Sequence, residues 1–589
     1  MGCARCTMAC CAAQHEVVFD ANLIKNSTLE DGLAGWAPLG ACTKLSARVE
    51  EPAMVPTESI NEDYKPSGRY ILASSRECQE DGLCQPIPAS ALKPRVTYRV
   101  AGWISLGAGC ADNGDAVTDA VVRVNIRLDG NGVGDEDKEG GKKKCSVVEG
   151  GVVCAEAGKW TELKGAFRLK ACPAAGAMVH VQGAPPGVDV KVMDLQVFAT
   201  DRKARFKKLK KKTDKVRRRD VVLKFGGAGS GSASAISGAS IRVMQMDTSF
   251  AFGACINPAV IQDQGFVDFF TKHFDWAVFE NELKWYHTEP AQGQLNYADT
   301  DALLDFCDAH GKPVRGHCIF WAVDNVVQQW VKALDKDGLN AAVQARLNSL
   351  LTRYAGRFPH YDVNNEMLHG SFFQTRLGDD INAFMFKETA RIDPGATLFV
   401  NDYNVEGGMD PNATPEKYIA QINALQEKGA PVGGIGLQGH VTNPVGEVVC
   451  DALDKLATTD LPIWLTELDV CESDVDLRAE DLEVVLREAY AHPGVEGVIF
   501  WGFMQGHMWR QDACLVNADG TVNDAGERFI DLRREWTSHA RGKIDSDGHF
   551  KFRGYHGSYV VQLSTATGKM HKTFSVEKGD TPLVLDMDV

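Results

Sequence analysis

Two stretches of the chain end an apolar run in carboxylates: YDVNNEMLHG delivers Asn365 and Glu366, and LPIWLTELDV delivers Glu467 and Asp469. Two carboxyl groups facing one another are what glycosidic bond cleavage requires. One protonates the departing oxygen while the other stabilises positive charge growing at the anomeric carbon. Spacing decides the outcome: about 5 to 5.5 Å suits covalent attack with retention, whereas a wider gap admits a water and inverts. VRGHCIFW adds His317, and GIGLQGH adds Gln438 and His440, each directly after an apolar run. A lone Glu in such a place is usually a solvated carboxylate, so the meaning rests on whether one scaffold gathers the set.

The scaffold is readable over residues 246–540, where short apolar strands alternate with helical periods. In one unit Thr414 suits an N-cap and Pro415 the first helical position, while Tyr418, Ile419, Ile422 and Leu425 keep the helical period. Gly429 then stops the helix and GGIGLQ reads as the next strand. Leu303, Leu304 and Cys307 repeat the pattern, with Gly311 as stop and a strand from Pro313 to His317. Eight strands are expected, near Phe250, Trp276, Val314, Asp362, Phe399, Ile435, Ile463 and Ile499, which is the count of a (β/α)8 TIM barrel. Such barrels carry their active sites at the C-terminal strand ends. The polar residues named above all fall there, with Glu366 after the fourth strand and Glu467 after the seventh.

The ordered series FENELKWY, RGHCIFW, YDVNNEMLHG, LFVNDYN, GIGLQGH, WLTELDV and WGF resembles glycoside hydrolase family 10, the xylanase family. The resemblance implies retaining endo-hydrolysis of β-1,4-xylosidic bonds, with Glu366 as acid/base and Glu467 as nucleophile. It gives Asn365 the 2-hydroxyl of the cleaved sugar and His440 a hydrogen bond to the nucleophile, with Asp469 orienting that histidine. Glu280, Asn281, Lys284, His317 and Gln438 match positions that hold sugars on the non-reducing side. Trp321, Trp501 and Trp509 match aromatic walls. No cofactor and no metal are implied. The chain departs from the family pattern at Ala322, where a second histidine is frequent, and at Met504 and Gln505, where WGFWE is frequent. Those departures bear on substrate preference.

Upstream, residues 21–200 read as an antiparallel β-sandwich: Val122, Val124, Ile126 and Leu128 alternate with Arg123, Asn125 and Arg127. The polar stretch Asp129 to Lys144 reads as a loop. NLIKNSTLEDGLAGW, YILASSRE, TYRVAGWISLG and VHVQGAPPGVDVKVMDLQVF resemble carbohydrate-binding module family 22. Glu80, with Cys78 and Cys84 nearby, stands where that family often has a tryptophan. Residues 201–245 read as a linker, first basic (DRKARFKKLKKKTDKVRRRD), then rich in glycine and serine. Residues 541–589 return to strand alternation, with Tyr559, Val561 and Leu563 on one face and a turn at Thr567-Gly568. This β extension is too short to hold a core alone and must dock elsewhere.

A length of 589 residues requires two or three units. The formal charge of −16 argues against general affinity for nucleic acid and suits a neutral partner such as xylan or a xylo-oligosaccharide. No apolar run is long enough for a membrane span. The 17 cysteines are an odd number, so one at least stays unpaired. Cys3, Cys6, Cys10 and Cys11 crowd residues 1–20, read as a disordered segment. Neither a second zinc-ligand cluster nor a readable secretory signal accompanies them, and Cys6 stands where a myristoylation signal wants Ser or Thr. A monomer acting outside the cell or at the cell wall is the expectation the family brings. An endotransglycosylase, and a glycan-binding protein with impaired catalysis, are the alternatives.

Overall fold

The computed structural model describes residues 17–19, 21–57, 64–107, 109, 116–129, 146–173, 176–225, 236–565 and 568–587. The cysteine-rich residues 1–16, most of the expected loop at 130–144, the glycine/serine residues 226–235 and Thr567 lie outside them. The chain divides into two units, Met1–Asp201 and Arg202–Val589.

The first unit is two antiparallel five-stranded sheets. One runs Ala37–Leu39, Gly82–Ile87, Gly176–Gln182, Asp119–Asp129, Ser146–Glu156; the other runs Lys44–Val49, Arg69–Ser74, Val190–Ala199, Thr97–Leu106, Thr161–Arg168. The alternation read from the sequence is the cause: Val122, Val124 and Ile126 are wholly buried, together with Val100, Ile104, Val192 and Val197 of the facing sheet. On the other side of that second sheet, Trp103, Trp160, Met193 and Tyr70 form a separate apolar cluster.

The second unit contains the barrel. Its strands are β1 (Ala251–Ile256), β2 (Trp276–Phe279), β3 (Val314–Gly316), β4 (His360–Asp362), β5 (Thr397–Asp402), β6 (Gly434–Leu437), β7 (Ile463–Val470) and β8 (Val495–Phe500). All pair in parallel in sequence order, and β8 pairs with β1 to close the ring. All eight expected strands are present. The helix Pro415–Glu427 starts with the Thr414 side chain accepting from Lys417 N, and Gly429 follows it at φ 79°, a conformation that costs glycine nothing. Beyond three of the strands, short extensions continue the pairing at the C-terminal mouth. Phe320–Trp321 pairs with Asn364–Asn365, and His440 faces Asp469.

The basic run expected as a solvated linker is instead structured. Residues Arg202–Arg217 form a helix and Arg218–Phe225 a strand. The helix is held to the barrel helix Val475–Ala491 by Arg205, whose guanidinium spans both oxygens of buried Glu488 at 2.6 and 2.8 Å. Arg217 donates to the carbonyls of Tyr490 and His492 at that helix's C-terminal end and to that of Val495 at the start of β8. The misreading has a physical reason: composition shows lysines, while ordering comes from the few arginines that find buried acceptors.

The strand Arg218–Phe225 pairs with His549–Tyr555 and Leu583–Met587, and Ser240–Thr248 pairs with His539–Lys543 and Gly557–Thr565. Tyr559, Val561 and Leu563 are wholly buried with Val221, Leu223, Ile241 and Val243. The β extension therefore shares its core with the strands that precede the barrel.

Candidate active site

Glu366 and Glu467 occupy the barrel mouth with opposite electrostatic surroundings. Glu366 follows the β4 extension in a left-handed conformation, φ 61°, which costs a non-glycine residue about 1–2 kcal/mol. Backbone bonds hold it there. Its N–H donates to Asn401 O at 2.9 Å, and its carbonyl accepts from His369 N and Gly370 N at 3.2 and 2.8 Å. Gly370 is required by close approach, because a Cβ there would lie 2.5 Å from the backbone of Ala322.

Burial raises the Glu366 carboxyl above the usual carboxylate range, and the charges of Glu467 and Asp402 add to that rise. A hydrogen bond from Gln438 Nε2 to its Oε1 at 2.9 Å opposes it, as does the nearby Trp321 indole. Asn365 Nδ2 reaches the same oxygen at 3.3 Å. Such a group keeps its proton at higher pH than an exposed carboxyl, as a general acid must.

Glu467 is driven the other way. Burial pushes it up, but His317, His440 and Lys284 more than reverse this and hold it below the usual range. His440 Nε2 stands 3.4 Å from Oε2 and His317 Nδ1 3.7 Å from Oε1. Each histidine is itself held by a carboxylate: His440 Nδ1 by Asp469 at 2.9 Å and His317 Nδ1 by Asp362 at 2.9 Å. Burial pulls His440 down, and Asp469 and Glu467 together push it up to about 9. Asp469 also accepts from Trp509 Nε1 at 2.8 Å and Arg510 at 3.0 Å. An ionised carboxylate beside a fixed imidazolium is chemically able to act as a nucleophile.

One side chain joins the two halves. Asn401, at the end of β5, donates through Nδ2 to Asn365 Oδ1 at 3.0 Å and to Glu467 Oε1 at 2.9 Å, while its Oδ1 accepts from Thr466. Asn401 belongs to the LFVNDYN motif, yet sequence reasoning gives it no role. The available signal was its place, a polar residue ending an apolar barrel strand.

The remaining expected site residues line the same mouth. Lys284 is buried, with its ammonium 4.8 Å from the Trp321 ring centre and 5.5 Å from that of Trp501. Asn281 Oδ1 accepts from Lys284 Nζ at 3.3 Å and Tyr286 Oη at 2.7 Å. Glu280 accepts from Asn257 at 2.8 Å and lines one small pocket with Trp501 and Trp509. The hydrogen bonds of Glu280 and Asn281 thus run to neighbours around the end of β2. Trp501 packs edge-on to His317, and Trp509 is 57% exposed. The Trp321 Nε1 is buried beside the Glu366 carboxyl. Ala322 and Met504, at the two departures from the family pattern, are buried. Among the described residues, no group of three His, Cys, Asp or Glu side chains is arranged to hold a metal ion.

Residues 241–531 match the model of glycosyl hydrolase family 10. Over 97% of its length the chain is 48% identical to endo-1,4-beta-xylanase 1 of Arabidopsis thaliana, covering 58% of that protein. To endo-1,4-beta-xylanase 2 of the same plant it is 46% identical, covering 52%, and to endo-1,4-beta-xylanase 3 it is 46% identical, covering 74%. The chain thus spans little more than half the length of the first two relatives.

Proposed function

The chain belongs to glycosyl hydrolase family 10, and from that premise we propose that it cuts internal β-1,4-xylosidic bonds of xylan by double displacement. Glu467 attacks the anomeric carbon while Glu366 gives its proton to the departing oxygen. Glu366, then a carboxylate, takes a proton from the water that releases the sugar from Glu467, so both residues return to their starting states.

The observation that carries this reading is the opposed environment of the two glutamates: one raised by burial, the other lowered by two histidines and a lysine. Groups pushed apart in this way take the acid and the nucleophile roles at one pH. Asn365, bonded to both Glu366 and Asn401, would hold the 2-hydroxyl of the sugar, a bond that strengthens as positive charge grows. Lys284, Gln438, Glu280 and Asn281 would grip sugars on the non-reducing side, with Trp321, Trp501 and Trp509 as walls. The names of the three relatives support xylan as the substrate, and a cell-wall location follows from that substrate.

We read the N-terminal sandwich as a glycan-binding module. Tyr70, Trp103 and Trp160 cluster on one sheet face, and the Trp160 indole donates to Glu50 at 3.1 Å.

Incubation with arabinoxylan, followed by product sizing and by NMR of the first anomer released, tests the enzyme reading. Mid-length oligosaccharides with β configuration are expected; monosaccharide alone, α product or no product overturns it. Glu467→Ala should lose turnover on every substrate. Glu366→Ala should lose roughly 100- to 10,000-fold on xylan but far less on aryl xylosides whose leaving group needs no proton. Equal losses on both substrate types would contradict the assignment.

A further inference from the structure

The hydrogen bonds beyond Glu366 give His369 a place that neither the two glutamates nor the nucleophile-side histidines account for. His369 lies three residues after the acid, on the turn whose amides close onto Glu366 O. Its Nδ1 stands 2.6 Å from Asp402 Oδ1 and its Nε2 3.1 Å from Asp410 Oδ2. Its ring lies flat on Tyr403, centroids 3.7 Å apart and planes 11° apart. A neutral imidazole has one donor nitrogen, whereas carboxylates on both sides require two, so the ring is held as imidazolium.

Both carboxylates are themselves fixed. Asp402 accepts from Leu368 N at 2.7 Å and Tyr403 N at 3.0 Å, and Asp410 accepts from Asn404 Nδ2 at 3.0 Å and Asn412 N at 2.9 Å. Asp402 therefore grips the acid-bearing turn twice, once through the Leu368 amide and once through the His369 ring. It also bears on Glu366 directly, since its charge is among those that raise the acid.

We propose that His369, clamped between Asp402 and Asp410, is a positioning residue for the proton donor: its imidazolium locks the Glu366 turn and offsets the Asp402 charge beside the acid. The proposal rests on the assignment of Glu366 as acid/base. The charged and titratable groups facing the ring are Asp402 from β5, Asp410 from the loop beyond it and Tyr403 between them. Those facing Glu366 are Asp402, Glu467 and Tyr403, with Gln438 and Trp321 as neutral neighbours. Burial pulls His369 down, and the two aspartates more than reverse this and raise it above its ordinary value.

The test compares wild type with His369→Phe, which keeps a ring against Tyr403 and removes the charge and both hydrogen bonds, and with Asp410→Asn, which weakens the clamp from its outer end. With the imidazolium gone, Asp402 acts on Glu366 unopposed, so the basic limb of the kcat/KM profile should move to higher pH, by roughly half a unit or more. Asp410→Asn should move it the same way by less. In His369→Phe, kcat/KM on xylan should fall roughly 10- to 100-fold, while kcat/KM on an aryl xyloside with a good leaving group should stay within about twofold, because that constant ends at a bond cleavage that needs no acid. An unmoved or lowered basic limb, or equal loss on both substrates, overturns the proposal. If His369→Phe fails to fold, as judged by circular dichroism, the Asp410→Asn profile decides alone. Wild type that leaves xylan uncut would instead defeat the underlying enzyme assignment, so the two failures are separable.

Discussion

Replacing His440 by glutamine isolates one of the charges that hold Glu467 below the usual carboxylate range. The substituted amide retains a side-chain donor within reach of Glu467 but cannot be a cation. In the wild type, unit charges on His440 and Glu467 stand 3.4 Å apart; at an effective dielectric of about 20 they attract by about 5 kcal/mol, equivalent to roughly 3.6 pH units. That figure is a ceiling, because His317 and Lys284 still face Glu467 and water will enter the space. A shift of about one unit is the expected remainder. The direction follows from the sign of the perturbation. Glu467 lies below the ordinary carboxylate range and acts as the anion, so losing a cation raises it, and activity that began at low pH now begins higher. Asp469, left without its imidazolium, adds to the rise. The assay is kcat/KM on a xylo-oligosaccharide, whose leaving group needs a proton, across pH 4 to 9, where the acidic limb reports the coupled His440 and Glu467 pair. The basic limb, governed by Glu366, should stay in place. An acidic limb that is unmoved or displaced downward in a folded variant would refute the reasoning.

Arg205→Ala should destabilise the barrel unit by about 3–5 kcal/mol, because it strands a buried carboxylate. Burial already pushes Glu488 up to about 7 despite Arg205, so the variant can escape by taking up a proton. Its stability should therefore fall further from pH 5 to pH 8 in urea melts, and Glu488→Leu in the same background should abolish that extra fall. Asn401→Ala should cost about 2–3 kcal/mol in urea unfolding through the acceptors and donors it leaves buried, and should lower kcat more than it changes KM.

The barrel is legible in the sequence because each βα unit carries its own punctuation. Thr414, Pro415 and Gly429 bound one helix from local chemistry, and strand ends follow from where apolar runs meet polar residues. The same rule singles out Glu366 and Glu467. It marks the place of Asn401 and Asp402 but not their roles, because Asn401 acts by touching residues from other strands, and Asp402 and Asp410 matter only because His369 stands between them. The basic run at 201–220 misleads for a related cause. Lys203, Lys207, Lys208, Lys210 and Lys211 dominate its composition, but Arg205 and Arg217 decide its structure by finding Glu488 and the carbonyls of Tyr490, His492 and Val495 nearly 300 positions away. No local pattern announces such partners.

The pairing of Arg218–Phe225 with His549–Tyr555 and Leu583–Met587 fixes the order of events at the ribosome. During synthesis this strand emerges more than 300 residues before its neighbours exist, and it must wait through the whole barrel with its edges open. The β layer that flanks the barrel can close only after the barrel itself is already made. A nascent chain of this kind offers unpaired backbone to its environment for roughly tens of seconds at ordinary elongation rates.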